Sequence, residues 1–263
     1  MAGQEPPLAR PVGATVLGLE RADAVYTLLA SCFVVVLVLT NIVGVKLFVL
    51  FPGGRPGWLG GGDPLTLTSG IITYPLTFLI TDVVSEIWGR KRANYMVVLG
   101  FVLSVTMLGI VKLAIALPPS PYWVNKPLGL EQPGEMQMAF RATFYYPGLL
   151  LFSSMLAYLT AQLFDVRLYH FWRRVTRGKH LWIRNNGSTT ISQLVDTIIV
   201  NGIFLHWGLK MEWGTVWGVI VAVYACKVVL ALIDTPLIYL VCYLVRRYLG
   251  IEAEGWTEVA PLA

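Results

Sequence analysis

The segment Pro75–Arg92, PLTFLITDVVSEIWGRKR, decides the fold class of this chain. It begins with the apolar character of a membrane helix, then carries the carboxylates Asp82 and Glu86, and ends on three consecutive cations. An ionisable side chain near the middle of a bilayer costs about 2.5 to 3.5 kcal/mol on insertion scales. The two acids therefore need partners inside a protein, and the cations indicate where the segment leaves the membrane.

The composition of the whole chain is that of an integral membrane protein. Of its 263 residues, 56% are hydrophobic and only 13% are charged, and the mean hydropathy is +0.66. One helical span needs roughly 20 apolar residues. Six runs of suitable length cover, to within several residues, 24–51, 65–88, 93–117, 142–164, 186–209 and 213–245. We therefore predict an all-α membrane protein with a bundle of six transmembrane helices.

The loop charges predict the orientation, because positive residues in short connections are retained on the cytoplasmic side. Cations cluster between spans two and three, between spans four and five, and after span six: Arg90, Lys91, Arg92, Arg167, Arg173, Arg174, Arg177, Lys179, Arg184, Arg246 and Arg247. The connections after spans one, three and five hold Arg55, Lys126 and Lys210 respectively, each accompanied by an acid. This alternation places both termini in the cytoplasm. The predicted divisions are an N-terminal tail, 1–23, a transmembrane domain, 24–247, and a C-terminal tail, 248–263.

Several classes of function are disfavoured. The net charge of +5 lies mostly in inner loops, where it reports topology and contact with anionic lipid, so no nucleic-acid partner is expected. Cys32, Cys226 and Cys242 fall inside predicted spans without paired spacing, which indicates neither a disulfide framework nor a metal site. No cofactor is predicted. The absence of HExxH and GxSxG motifs argues against an intramembrane enzyme.

Eight ionisable residues fall inside the predicted spans or at their margins, and their formal charges sum to zero: Lys46, Asp82, Glu86, Lys112, Arg141, Asp196, Lys227 and Asp234. A balanced set offsets its own desolvation if the groups converge in one polar cluster between helices. Such a cluster can also bind a solute.

Helical spacing predicts which side chains share the interior, because residues three, four and seven apart lie on one face. Span two presents aromatic rings and carboxylates along one stripe, span five presents a polar seam, and span six presents a lysine. The candidate ligand-binding residues are Asn41, Tyr74, Phe78, Asp82, Glu86, Gln193, Asp196 and Lys227.

Structural roles compete with this interpretation. Lys46 and Arg141 lie near the outer ends of spans, where long side chains reach the headgroups. Glu86 lies near the inner boundary, where it could pair with Arg90 or Lys91. A pair between Lys227 and Asp196 or Asp82 could serve only to hold helices together.

Carboxylates, amides, one ammonium and several aromatic rings suit a flat heterocycle better than a bare ion. A guanine-like edge offers adjacent N–H donors that one carboxylate can accept together. A peptide, an amine or a vitamin could use the same groups.

Four segments carry a resemblance to a known family. They are Thr40–Phe48, TNIVGVKLF; Pro75–Ala93, PLTFLITDVVSEIWGRKRA; Trp182–Phe204, WIRNNGSTTISQLVDTIIVNGIF; and Tyr224–Leu240, YACKVVLALIDTPLIYL. Together they resemble the queuosine precursor transporters, six-span proteins of the bacterial inner membrane and of the vitamin-uptake-like class. The resemblance implies import of 7-cyano-7-deazaguanine or 7-aminomethyl-7-deazaguanine, with the small molecule and the lipid bilayer as partners. It leaves a homodimer open.

For such a transporter we expect Asp82, with Asp196 and Glu86, to accept hydrogen bonds from the deazaguanine edge. Lys227 would balance the charge of the empty site, and Tyr74 or Phe78 would stack on the ring. Import would be driven by protonation of one carboxylate or would be simple facilitation. The alternative is a substrate-binding membrane subunit of an energy-coupling-factor type vitamin importer, which needs an ATPase partner.

Overall fold

The computed structural model describes residues 15–16, 19–44, 46–54, 56–57, 64–144, 148–177 and 179–251. Most of the predicted tails, 1–23 and 248–263, and part of the connection after the first span lie outside these residues.

Helices dominate the described chain. Seven α-helices occur within it: α1, Arg21–Val43; α2, Tyr74–Ile87; α3, Arg90–Ala116; α4, Pro133–Phe144; α5, Gly148–Val175; α6, Leu181–Asn201; and α7, Trp213–Leu249. Short 3₁₀ turns cover Ser69–Ile72 and Lys126–Leu128, and a π-helical segment, Gly202–Gly208, extends α6.

Five helical segments of the described chain are long and apolar enough to cross a membrane: Arg21–Val43, Ser69–Ile87, Arg90–Ala116, Leu181–Gly208 and Trp213–Leu249. Large apolar side chains are exposed along several of them, for example Leu28, Leu113 and Val221. This pattern is that of helices that face lipid on one side and protein on the other. The chain is therefore an integral membrane protein built as a helical bundle.

The predicted boundary between spans one and two was wrong. Helix α1 ends at Val43 instead of near residue 51, and strand β3, Leu47–Leu50, follows it. This strand pairs antiparallel with β4, Leu65–Thr68, although residue 65 was predicted to begin the second span. An apolar run of this length does not by itself distinguish a helix from a strand. A second small hairpin pairs β1, Thr15–Val16, with β2, Leu19–Glu20.

The predicted fourth span, 142–164, was also misplaced. Helix α4 ends at Phe144, and α5 begins at Gly148 and continues to Val175. Helix α6 begins at Leu181 instead of near residue 186. Several cations that were assigned to a loop therefore belong to helices.

Helix α2 lies at the centre of the bundle, in contact with α1, α3, α5 and α7. Its apolar residues Val83 and Val84 are fully buried and belong to one core with Phe33 of α1, Met96 of α3 and Ile238 of α7. The opposite side of α2 is polar. This central position is what brings the polar side of α2 into the interior.

Close packing between α1 and α3 depends on Gly100. A Cβ atom at this position would lie 2.7 Å from Phe33 Cε1 and 3.1 Å from the Tyr158 hydroxyl of α5. That hydroxyl donates a hydrogen bond to the carbonyl of Val97. A larger residue at position 100 must therefore displace buried neighbours.

We expect Gly100→Val to destabilise the protein by about 1 to 3 kcal/mol, because extra volume in a packed interior forces strain. Gly109→Val is the matched control on the same helix, since nothing lies within 4 Å of a Cβ there. Thermal unfolding of both purified variants in detergent measures the difference. Equal unfolding temperatures would contradict the assignment of Gly100 to a tight contact.

Candidate functional site

Helix α2 carries a column of buried polar side chains into the bundle: Thr77, Thr81, Asp82, Ser85 and Glu86. The threonines bind α5 through Gln162, which accepts a hydrogen bond from Thr81 at 3.2 Å and donates one to Thr77 at 3.3 Å. Because the residues recur every three or four positions, they share one face of the helix.

One group, the arginine level, surrounds Glu86. Its Oε1 accepts hydrogen bonds from Arg184 at 3.2 Å and from Arg246 at 2.7 Å, and its Oε2 accepts one from the Tyr169 hydroxyl at 2.8 Å. The Glu86 and Arg184 side chains are only 2% and 1% exposed. The group joins α2, α5, α6 and α7.

These contacts correct the sequence interpretation of the arginines. Arg184 and Arg246 were counted as loop cations that report topology, but both pair with Glu86 inside the protein. The suggested partners Arg90 and Lys91 are exposed. A buried carboxylate attracts cations from helix ends because the desolvation of each charge is offset only by its partner.

A second group, the carboxylate-pair level, lies around Asp82. Its carboxyl group contacts that of Asp165 on α5, and both residues are fully buried. Hydroxyl groups of α6 bind them: Thr189 donates to Asp82 Oδ2 at 3.4 Å and Ser192 donates to Asp165 Oδ1 at 2.8 Å. Asp82 Oδ1 and Asp165 Oδ2 are buried and have no hydrogen-bond donor in the part of the chain that the structure describes.

Asp165 was missed because the fourth span was ended at Phe164. The signal that would have found it is the spacing of polar residues on α5. Tyr158, Gln162, Asp165 and Tyr169 follow one another at intervals of four, three and four, which places them on one helical face.

A third group, the lysine level, contains Asp196 and Lys227. The Lys227 ammonium donates to Asp196 Oδ2 at 2.6 Å and lies 4.5 Å from the centroid of the Tyr74 ring. The rings of Tyr74 and Phe78 are 5.0 Å apart. The group joins α2, α6 and α7, and it realises the pairing between Lys227 and Asp196 that the sequence suggested.

The three levels follow one another along α2 and α6, which run antiparallel. Tyr74, Asp82 and Glu86 of α2 lie at the levels of Asp196, Thr189 and Arg184 of α6, respectively. At 1.5 Å per residue, the column from position 74 to position 86 is about 18 Å long. It therefore extends through much of a bilayer core, which is about 30 Å thick.

The remaining candidates are placed as follows. Gln193 is buried on α6 and its side-chain carbonyl has no donor among the described residues. Asn41 is half-buried on α1, and its amide nitrogen has no described acceptor. Lys46, Lys112 and Arg141 are exposed. The eight charged residues that were predicted to converge in one interior cluster therefore do not all lie in the interior.

The described ranges contain no cluster of three or more His, Cys, Asp and Glu side chains that could hold a metal ion. What the site offers is a column of paired charges, hydroxyls, amides and aromatic rings inside an apolar helical bundle. Such a column is typical of a protein that passes a polar solute through a membrane.

The comparison with known families agrees with this class. The family described as "Putative vitamin uptake transporter" matches residues 68–241, and the chain belongs to that family. The matched range contains Asp82, Asp165, Asp196 and Lys227. The chain is thus a membrane transporter and not an enzyme.

One relative has a more specific name than the family. The protein named "Probable queuosine precursor transporter" from Bacillus subtilis (strain 168) is 29% identical over 177 residues, which are 66% of this chain and 71% of the relative. The resemblance to queuosine precursor transporters is thereby confirmed. No solved structure matches the chain.

Replacing Glu86 by Ala should lower stability by about 3 to 5 kcal/mol, because two arginines then remain in the interior without their carboxylate. Asp23→Ala is the control, since it removes the carboxylate of an ion pair with Arg92 whose side chains are 47% and 33% exposed. Such surface pairs contribute about 0 to 1 kcal/mol. If both variants unfold at the same temperature in detergent, the arginine level is not an important support of the bundle.

Proposed function

We propose that this protein imports the queuosine precursors 7-cyano-7-deazaguanine and 7-aminomethyl-7-deazaguanine across the inner membrane of a bacterium. The name of the relative supports the class of solute. The polar column of the bundle supports a route for it, because its groups are those that a deazaguanine edge needs.

One observation carries the assignment of the binding region. Asp82 Oδ1, at the carboxylate-pair level, and Gln193 Oε1, between Thr189 and Asp196 along α6, are buried acceptors that have no donor within the described ranges. A buried acceptor without a donor costs about 1 to 3 kcal/mol. The adjacent N–H groups of a guanine-like edge supply the missing donors, so binding of such an edge removes this cost.

The heterocyclic ring of the ligand binds at the lysine level. The Tyr74 ring lies against the Lys227 ammonium, next to Phe78. A flat heterocycle stacks on the same ring face once the Lys227 ammonium moves off the Tyr74 ring while keeping its contact with Asp196. In the empty protein Lys227 balances the charge of Asp196, and Asn41 lies on α1 as a further donor.

Glu86 takes part at the end of the column. Three donors already bind its two oxygens, so a ligand reaches it only after one of them leaves. If import is driven by the protonation of a carboxylate, Asp82 and Asp165 are better suited to take up the proton, because they contact each other and their described donors are hydroxyl groups.

We expect Asp82→Asn and Asp196→Asn to reduce uptake by about tenfold or more, because each removes a charge-assisted hydrogen bond while keeping the shape of the side chain. Asp23→Asn, at the partly exposed ion pair, should leave uptake unchanged. The measurement is uptake of each precursor in cells that cannot make it, at matched protein levels in the membrane. Undiminished uptake by both site variants would refute the site.

Reconstitution separates the transporter from the alternative of a binding subunit that needs an ATPase. The purified chain alone in liposomes should accumulate a labelled precursor when an inside-negative potential is imposed. Uptake that begins only after an ATPase partner is added would favour the energy-coupling-factor alternative.

The proposed topology has six spans and two cytoplasmic termini. Helix α5 is the fourth span in chain order and brings the number of spans to six, since its 28 residues extend about 42 Å. Lys126, between α3 and α4, then lies outside, and Lys179, between α5 and α6, lies inside.

Single cysteines test this arrangement in a background in which Cys32, Cys226 and Cys242 are replaced by Ser. A membrane-impermeant thiol reagent should label Lys126→Cys in intact cells and label Lys179→Cys only after permeabilisation. Both positions are exposed, so access depends on the membrane alone. Labelling of both in intact cells would contradict six spans with α5 among them.

A further inference from the structure

The carboxylate pair of Asp82 and Asp165 differs from the other buried acids of the column. Glu86 is bound by two arginines, and Asp196 is bound by Lys227. No described cation contacts Asp82 or Asp165, and both are fully buried. Two ionised carboxylates in contact inside a protein repel each other strongly, so the pair requires one positive charge.

Three acceptor atoms near the pair have no hydrogen-bond donor among the described residues: Asp82 Oδ1, Asp165 Oδ2 and the side-chain carbonyl oxygen of Gln193. Gln193 lies one helical turn beyond Thr189, on the face of α6 whose Thr189 and Ser192 bind the two carboxylates. Its amide is an independent acceptor, so the shortage of donors is not confined to the acids.

None of the described groups that face the pair supplies the positive charge that it requires. From α2 it is faced by Glu86 and Tyr74, from α5 by Tyr169, from α6 by Ser188, Thr189 and Ser192, and from α7 by Cys242. These are neutral donors and one further acid. The nearest arginines, Arg184 and Arg246, are bound to Glu86.

We infer that the Asp82–Asp165 pair is a single-cation site that is filled during transport, either by the primary ammonium of a ligand or by one proton. The inference rests on the proposed function, because it assigns different ions to the two proposed precursors. The aminomethyl compound carries an ammonium with three N–H donors and fills the site itself, at a step of its passage in which its ring edge, at the opposite end of the molecule, no longer binds Asp82. The cyano compound is neutral and enters with a proton.

The proton for the cyano compound comes from the side on which the ligand enters. It forms an O–H bond with one carboxylate of the pair, and that O–H donates to the other carboxylate, which satisfies Asp82 Oδ1 and Asp165 Oδ2 together. On the other side the bond breaks and the proton leaves with the ligand. In both cases one positive charge crosses with each ligand, so both fluxes respond to membrane potential. Only the flux of the cyano compound also carries a proton.

The test uses liposomes that contain the purified full chain, a trapped pH indicator and a potassium diffusion potential that is negative inside. We expect about one proton to enter with each molecule of the cyano compound and none with the aminomethyl compound. Equal proton counts for the two compounds would overturn the inference and leave the proposed function intact. If neither compound enters, the proposed function fails instead.

The variant Asp165→Asn tests further whether a proton or the ligand ammonium fills the site. Its amide stands in for a permanently protonated Asp165 and its oxygen can still accept from Ser192. The variant should import the cyano compound without a proton, and it should lose about tenfold in the import of the aminomethyl compound relative to the cyano compound. Asp234→Asn is the control, since Asp234 is half-buried on α7 outside the pair, and it should keep one proton per cyano molecule. An Asp165→Asn variant that still moves one proton per cyano molecule would contradict the assignment of the proton to this pair. If that variant does not fold, the proton counts of the unmodified chain decide alone.

Discussion

The contact of Glu86 with Arg184 and Arg246 sets the alignment of the helices on which the rest of the site depends. One carboxylate of α2 is held there by the beginning of α6 and by the end of α7, with Tyr169 of α5 as third donor. The isolated charges would be costly in the interior, and only their mutual contact offsets that cost. Sliding α2 against α6 by one turn would separate them, so this cluster fixes the register of two helices that run antiparallel.

With the register fixed, helical periodicity places the other two levels. Counting from Glu86, four residues along α2 reach Asp82 and eight more reach Tyr74, which corresponds to about 6 Å and about 12 Å of rise. On α6, five residues from Arg184 reach Thr189 and seven more reach Asp196. The carboxylate pair and the lysine pair are therefore consequences of one alignment and of two sequence spacings, and no loop has to position them.

The sequence predicted the membrane class, most helices and the burial of Asp82 and Asp196, because an acid within a long apolar run has few alternatives. It did not predict Asp165, Arg184 or Arg246. These residues lie near predicted span ends, where a charge is equally compatible with a loop, and only the three-dimensional contacts show that they are buried. The hairpin of β3 and β4 was missed for a related reason: hydropathy measures the avoidance of water and not the pairing of backbone groups.

The three levels differ in how easily their partners can be exchanged, and this difference matters for a transporter. Glu86 has two cations and a phenol, so opening that level requires two buried charges to be separated. Asp196 has one cation, which already lies against an aromatic ring where a flat ligand would stack. Among the residues that the structure describes, Asp82 and Asp165 are bound by neutral hydroxyls and by no cation. Because neutral hydrogen bonds are weaker than charge-assisted ones, the middle level can exchange its partners at the lowest cost, while the arginine level keeps the helices in register.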